Sequence, residues 1–242
     1  MYRIYLFRQV SFSGTITKNT AAGREVIMRI FVIRHGETPA NREGKLSGWT
    51  DDPLNENGIR LAAVTGKNIK GIHFDGCYSS PLQRARDTAE IVLRESGNES
   101  VPIVTDERLK EIFVGDWEGV KFRPGECEAD PEAIMRYFRN PLDFEGCPNG
   151  ETTEQVCRRT QEFLNELIAK DDGKTYLVST HGFAVRAMLN FLFEDPSDFW
   201  QGHMPYNCCI SIIEAQHGNA KLTDIDKVYY DRDDVVDHYA AF

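Results

Sequence analysis

The sequence contains no long hydrophobic run. None of its 242 residues belongs to a stretch approaching the roughly 20 apolar residues that a membrane-spanning helix requires. The apolar run at 4–7 lies between Arg3 and Arg8, so it is shorter than the roughly 7 to 15 residues of the apolar core of a secretory signal peptide. We therefore expect a cytoplasmic protein that does not bind membranes.

The cysteines show neither a C-x-x-C pair nor the spacing of a zinc site. The six of them are Cys77, Cys127, Cys147, Cys157, Cys208 and Cys209. None has an arginine six positions later, which argues against a cysteine-dependent phosphatase. No metal-ligand spacing is found at His73, His203, His217 and His238 either. We expect reduced thiols, no metal and no cofactor.

Two other phosphate-handling motifs are also missing. No Gly-rich loop is followed by Lys-Ser or Lys-Thr, which argues against a P-loop nucleotide hydrolase. Asp224 and Asp226 have the spacing of an aspartyl-phosphate site, but no apolar strand precedes them. They begin the acidic stretch from Asp224 to Asp237, which we expect to be a solvated surface.

The chain has little positive charge relative to its acidic residues. Its formal net charge of -10 argues against a nucleic-acid binder, because affinity for phosphate backbones comes chiefly from clustered Lys and Arg. A small phosphate ester remains a possible ligand, since a few converging cations suffice to bind it.

Apolar runs and helical patterns alternate from Arg29 onward, which predicts an α/β fold. Residues 1–27 show little periodicity, and we expect an N-terminal extension there. Either a start codon assigned too far upstream or an accessory strand would account for it. Residues 28–242 are expected to form a single domain with a lid-like insertion around 115–150. That insertion is rich in proline and is predicted to be mostly loop, with a short helix near 132–138.

The remaining pattern predicts the layers of the fold. Strands are expected at 30–33, 77–79, 101–104, 175–179 and 208–214, and helices at 55–70, from 81, around 156–167 and at 183–193. This alternation predicts a three-layer α/β/α sandwich with a mostly parallel central sheet.

Two segments share one form, an apolar strand followed by His-Gly. They end at His35-Gly36 and at His181-Gly182. In α/β sheets ligands bind beyond the carboxyl ends of the strands, so both histidines are expected on the same rim.

His35 is the candidate nucleophile for phosphoryl transfer. Such a histidine must be neutral on its attacking nitrogen and must face a phosphoryl group whose charge is neutralised. Arg34 can hold two phosphate oxygens and disfavours the imidazolium, and Gly36 would leave room for the substrate. Arg84, in the first turn of a predicted helix, could join Arg34 there, although its local sequence also fits a solvated helix face. Arg86 is expected to face solvent.

Five blocks of sequence, in this order, resemble the histidine phosphatase superfamily, which includes the phosphoglycerate mutases. They are Arg34-His35-Gly36-Glu37-Thr38 with Asn41, the block from Ser47 to Leu54 with Gly58, the block from Ser79 to Ala89, Leu109-Lys110-Glu111 with the block from Gly115 to Gly119, and Ser179-Thr180-His181-Gly182. The resemblance covers most of the chain from Met28 and implies a phosphoglycerate mutase-like fold.

The resemblance also implies a role for each matching residue. His35 would be phosphorylated, and Arg34, Arg84 and His181 would bind the transferring phosphoryl group. Glu111 would protonate the leaving oxygen and then activate water, although alone it also fits a surface acid in a loop. Further contacts to the substrate are implied for Asn41, Ser47, Gly48 and Gly182.

The residues around Glu111 favour a phosphatase over a mutase. The mutases carry Arg and Tyr soon after this position, whereas Ile112, Phe113 and Val114 follow here, and few cations lie between Glu111 and Gly150. We predict hydrolysis of a small phosphomonoester by a monomer or homodimer. A phosphoglycerate mutase-type enzyme and a non-catalytic binder of phosphorylated ligands are the alternatives. Specificity is expected to come from the lid and from Trp49.

Overall fold

A six-stranded sheet forms the centre of the computed structural model, which describes residues 27–123 and 125–234. The strands are β1 (Met28–Arg34), β2 (Gly76–Ser79), β3 (Ile103–Thr105), β4 (Thr175–Thr180), β5 (Ile210–Gln216) and β6 (Asn219–Lys227). Their order in the sheet is β3-β2-β4-β1-β5-β6. The first four strands in that order are parallel to one another. β5 is antiparallel to β1, and β6 is antiparallel to β5. The predicted mostly parallel sheet is confirmed.

Helices cover both faces of this sheet. They are α1 (Pro39–Glu43), α2 (Glu56–Asn68), α3 (Gln83–Ser96), α4 (Pro131–Arg139), α5 (Thr153–Ile168) and α6 (Gly182–Leu189). Ile30 and Val32 of β1 pack in one apolar cluster with residues of α5 and α6. Phe31 and Ile33 pack in another with residues of α2 and α3. Because successive strand residues point to opposite faces, β1 is apolar on both sides, and the three-layer prediction is confirmed.

The region 115–150 has its own aromatic core. Apart from α4 it contains two 3-10 turns, Gly115–Trp117 and Pro141–Asp143. Its buried aromatic residues pack against Phe183 of α6 and against Phe199 and Trp200. They are Trp117, Phe122, Tyr137, Phe138 and Phe144. The predicted short helix is thus confirmed, while the role of this region as a lid stays a prediction.

Several element boundaries differ from the prediction, two of them for clear local reasons. β3 begins at Ile103 rather than 101, because Pro102 has no N–H to donate to a neighbouring strand. β5 begins at Ile210 rather than 208, because Cys208 has a left-handed backbone with φ 56°. α6 ends at Leu189, and Asn190–Leu192 continues as a 3-10 turn.

The prediction of a solvated surface beginning at Asp224 is wrong at Asp226. This residue lies in β6, is 4% exposed, and its carboxylate accepts a 2.5 Å hydrogen bond from the fully buried Arg186. The backbone N–H of Asp226 also donates to the Ser211 hydroxyl at 3.1 Å. An acidic residue is buried here because a cation from another element neutralises it.

Two further expectations concern the chain as a whole. The predicted N-terminal extension lies outside the described residues except for Ile27. All six cysteines lie within the described part of the chain and are unpaired, as expected. None of the helices in the described ranges combines the length and the apolar character needed to cross a bilayer.

We predict that Asp226→Ala destabilises the fold by about 3–5 kcal/mol, because it leaves the Arg186 guanidinium buried without a counter-charge. Urea unfolding followed by circular dichroism measures this change. The control is Asp224→Ala on the same strand, whose pair with Lys227 at 3.9 Å is exposed. It should cost at most about 1 kcal/mol. Equal losses for the two variants would contradict a stabilising role for the buried pair.

Candidate active site

The ends of β1 and β4 bring the two histidines together. These strands are parallel neighbours, and Arg34 is in register with Thr180. His35 and His181 therefore leave the sheet at the same rim, where their rings meet edge to face with centroids 5.1 Å apart. Both side chains are buried. The prediction of a shared rim is confirmed.

The His35 imidazole is neutral and has a defined tautomer. Its Nδ1 lies 2.7 Å from the carbonyl oxygen of Gly36. Since a carbonyl can only accept, Nδ1 carries the proton and Nε2 keeps its lone pair. Burial lowers the pKa of His35 well below its ordinary value, and the charges of Arg84 and Arg34 lower it further. A neutral ring with a free Nε2 is the state required of a nucleophile.

Gly36 serves packing rather than substrate approach, contrary to our expectation. A Cβ at this position would lie 2.6 Å from the carbonyl oxygen of Gly58 in α2. The Gly36 N–H donates to the Thr88 hydroxyl at 2.9 Å, and that hydroxyl donates to the Arg84 carbonyl at 2.7 Å. The turn after β1 is thereby fixed against α2 and α3.

Arg34 is held at the rim with part of its donor capacity unused. Its Nη1 donates to the carbonyl of Pro205. Its Nε–H is buried and finds no acceptor among the described residues. A Cβ at Gly182 would come within 3.3 Å of that Nε, so glycine leaves room for the guanidinium.

Arg84 is buried, and its guanidinium binds the 47–50 loop. It donates to the carbonyls of Thr50 at 2.6 Å, Gly48 at 2.7 Å and Ser47 at 3.4 Å. Its charge still reaches the site, because it is the main charged group lowering the pKa of both His35 and His181. The interpretation of Arg84 as a solvated residue is excluded, whereas Arg86 is exposed as expected.

Glu118 holds the other side of the 47–50 loop. Its carboxylate accepts from the backbone N–H groups of Gly48 at 3.1 Å, Trp49 at 2.6 Å and Thr50 at 3.4 Å, and from the Thr50 hydroxyl at 2.7 Å. Arg84 thus donates hydrogen bonds to the carbonyls of the loop, and Glu118 accepts hydrogen bonds from its N–H groups. A chain segment bound on both sides by opposite charges is fixed in position.

Glu111 is held at the first turn of α6. Its carboxylate accepts from the N–H groups of Ile112 at 3.0 Å, Phe183 at 3.2 Å and Ala184 at 3.1 Å. Burial raises the pKa of this carboxyl, although the hydrogen bonds and the charge of Arg84 act in the opposite direction. A carboxyl with a raised pKa is suited to donate a proton.

The backbone of Glu111 is also fixed, from two sides. Its carbonyl accepts from the indole N–H of Trp49 at 2.9 Å and from Arg159 of α5 at 2.8 Å. Arg159 further binds the carbonyls of Arg108 and Lys110. The loop that carries Glu111 is therefore anchored to α5 and to the 47–50 loop.

His181 is neutral and is oriented by Ser80. Its Nε2 lies 2.8 Å from the Ser80 hydroxyl. Its Nδ1 is buried and has no hydrogen-bond partner within the described ranges. Burial, followed by the charge of Arg84, lowers the pKa of His181 well below its ordinary value.

A cavity adjoins the end of β1 and is hereafter called the rim cavity. The predicted site residues on its wall are Arg34, His35, Asn41, Ser47 and Glu111. The predicted site residues that are not on its wall are Gly48, Arg84, His181 and Gly182. Gly48 instead packs on the backbone, since a Cβ there would lie 2.5 Å from the Ile112 carbonyl. Within the part of the chain that is described, no three His, Cys, Asp or Glu side chains form a group able to hold a metal.

Several residues of the site were missed in the sequence. Ser80 comes directly after β2, just as the two histidines come directly after β1 and β4. This shared position in the sequence could have identified Ser80 as a site residue. Asn207 donates to the carbonyl of His35 at 3.0 Å and to the Asn41 side chain at 3.2 Å. Glu118 and Arg159 act mainly through backbone groups of distant loops, and no local pattern marks such contacts.

The comparisons with known proteins agree with this geometry. The family model described as histidine phosphatase superfamily (branch 1) matches residues 30–227. The chain therefore belongs to the histidine phosphatase superfamily.

Relatives with different activities are similar to this chain. A 2,3-bisphosphoglycerate-dependent phosphoglycerate mutase of Gloeobacter violaceus is 31% identical over 163 residues, covering 66% of this chain and 73% of the mutase. A metal-independent phosphoserine phosphatase of Arabidopsis thaliana is 33% identical over 163 residues, covering 67% of each chain. Among solved structures, Bacillus stearothermophilus YhfR is 31% identical with a TM-score of 0.74, covering 83% of this chain and 98% of YhfR. Family membership alone therefore does not distinguish a phosphatase from a mutase, and the distinction depends on the residues of the site.

We predict that Glu118→Ala releases the 47–50 loop, because three backbone N–H groups lose their acceptor. Hydrogen exchange by mass spectrometry should show exchange of the amides of the 47–50 loop accelerated by about tenfold or more, if each lost bond contributes about 1 kcal/mol. The control is Asp116→Ala, whose carboxylate binds only the exposed side chain of Asn149 among the contacts described for it. Unchanged exchange of that loop in Glu118→Ala would contradict the role of Glu118.

Proposed function

We propose that the protein is a metal-independent phosphatase that hydrolyses a small phosphomonoester through a phosphohistidine on His35. The observation that carries this proposal is the His35 ring, held through Nδ1 by the Gly36 carbonyl so that Nε2 is left to attack, in a cavity whose wall also holds Arg34 and Glu111. Nucleophile, phosphate-binding cation and proton donor are the three groups that the reaction requires.

The first step transfers the phosphoryl group to the enzyme. Nε2 of His35 attacks phosphorus, the N–P bond forms, and the bond from phosphorus to the ester oxygen breaks. The protonated carboxyl of Glu111 gives its proton to the departing oxygen, so that an alcohol leaves rather than an alkoxide. The Nδ1–H group continues to donate its hydrogen bond to the Gly36 carbonyl, and this bond stabilises the positive charge that develops on the ring.

The second step returns the enzyme to its starting state. The carboxylate of Glu111 takes a proton from water, the water oxygen attacks phosphorus, and the N–P bond breaks. In both steps the equatorial oxygens of the phosphoryl group carry negative charge. Arg34 neutralises this charge by direct contact, whereas Arg84, which is bound to the 47–50 loop, acts on it at longer range. His181 lies beside the ring of His35, and its buried Nδ1 has no hydrogen-bond partner among the described residues, so in this proposal Nδ1 donates to one of these oxygens.

The position of the cations favours water as the acceptor. A mutase must retain a substrate that has a second negative group, which requires additional free cations in the cavity. Lys121, Arg123, Arg136 and Arg139 are the cations between Glu111 and Gly150. None of these four is on the wall of the rim cavity, and Arg136 and Arg139 are exposed on α4. We therefore propose hydrolysis rather than mutase activity.

We predict that His35→Ala lowers phosphatase activity by about 10³-fold or more, because no other group can form the phosphoenzyme. The assay uses a panel of phosphomonoesters in the presence of EDTA, and mass spectrometry of rapidly quenched enzyme should show one added phosphoryl group on residue 35. The control is His73→Ala, since this side chain is 80% exposed.

Three results would overturn that proposal. Isomerisation of 3-phosphoglycerate with negligible hydrolysis would favour the mutase. Absence of a phosphoenzyme and of turnover with every ester would favour a non-catalytic binder. Loss of activity in EDTA that a divalent metal restores would contradict metal independence.

We predict that kcat/KM has two pH limbs. It should rise with pH as His35 loses its proton, at a pH below the ordinary histidine pKa because that of His35 is lowered. It should fall again as Glu111 loses its proton, at a pH above the ordinary glutamate pKa because that of Glu111 is raised. The falling limb should vanish in Glu111→Gln, with a loss of about 10²- to 10⁴-fold for alkyl phosphates.

The loss in Glu111→Gln should be smaller for 4-nitrophenyl phosphate, whose leaving group needs no proton. Equal losses for alkyl and 4-nitrophenyl phosphates would show that Glu111 is not the proton donor.

A further inference from the structure

The rim cavity has a wall that the proposed reaction does not use. Beyond Arg34, His35 and Glu111 it is lined mainly by apolar and aromatic side chains. Those relevant here are Leu46, Val114, Phe122, Tyr137, Phe138 and Met204. Four of them belong to the region 112–138 that follows Glu111, the residue proposed to protonate the leaving alcohol.

Each of the other charged groups on this wall, Glu37 and Lys45, has an existing partner. The Glu37 carboxylate accepts from the Asn55 amide at 2.8 Å and lies 3.6 Å from the Arg42 guanidinium. The Nζ of Lys45 lies 2.6 Å from the carboxylate of Glu43. A charged substituent on the substrate would therefore compete with an existing partner for either group.

We infer that the alcohol part of the substrate is uncharged and apolar, so that the protein hydrolyses alkyl or aryl phosphates in preference to phosphorylated amino acids or sugar acids. This inference rests on the proposed phosphatase activity. Burial of apolar surface against such a wall is favourable in proportion to the area removed from water. A carboxylate or ammonium group placed there would lose hydration without a free counter-charge in return.

A homologous series of substrates tests this without any variant. Ethyl, propyl, butyl and pentyl phosphates have leaving groups of nearly equal basicity, so the chemical step is constant along the series. We expect kcat/KM to rise by about two- to fourfold for each added methylene that contacts the wall. The change should lie in KM, since an apolar contact is equally strong in the ground state and the transition state. Phosphoserine and 3-phosphoglycerate should be hydrolysed at least about tenfold less efficiently than butyl phosphate, because their charges find no free partner.

A matched pair of variants ties the effect to the wall. Met204→Gln keeps the length of the side chain but replaces an apolar contact by a polar one, so the dependence on chain length should become shallower. Met135→Gln is the control, because this methionine is exposed on α4 and is not on the cavity wall. In this control variant, kcat/KM should depend on the length of the alkyl chain as it does in the unaltered protein.

The outcomes separate this inference from the proposed function. Hydrolysis that depends on His35 but shows no rise with chain length, or is fastest for phosphoserine or 3-phosphoglycerate, would overturn the apolar substrate class and leave the phosphatase intact. Absence of hydrolysis for every ester, or hydrolysis that persists in His35→Ala, would instead overturn the proposed function. Equal effects of the two methionine variants would show that the preference arises outside the rim cavity.

Discussion

The parallel pairing of β1 with β4, and of β4 with β2, is the constraint on which the site depends. Each of these three neighbouring strands places one polar side chain immediately after its end: His35, His181 and Ser80. The strands are about 4.8 Å apart, so side chains that follow adjacent ends are close enough to touch. The contact between the two rings and the hydrogen bond between Ser80 and His181 follow from this spacing.

Charged side chains hold the site mainly through backbone groups. Arg84 and Glu118 bind opposite sides of the 47–50 loop, and Arg159 binds the carbonyls of the loop that carries Glu111. Side chains bound in this way have little freedom to move, which keeps reacting groups in place. They also supply charge without occupying the cavity. An acidic chain can in this way maintain a positive potential at one buried point.

The sequence predicted the parts of the site that depend on local pattern. An apolar run followed by His-Gly marks a strand and its end, so His35 and His181 could be placed on one rim from sequence alone. Glu118 and Asn207 could not be found in this way, because their partners lie in loops far along the chain. The error at Asp226 has the same origin: its surroundings in sequence are acidic, and the cation that permits its burial is 40 residues away.

The two strand ends and the apolar wall of the rim cavity belong to different parts of the fold. The ends of β1 and β4 hold His35 and His181, and their position is determined by the sheet. The apolar wall comes from segments outside the sheet, mainly 112–138 and the turn around Met204, which pack through their own aromatic core. Substitutions in that core can change the shape and polarity of the wall while the strand ends stay fixed. Under the proposed function, the alcohol would be selected by residues that do not take part in the attack on phosphorus.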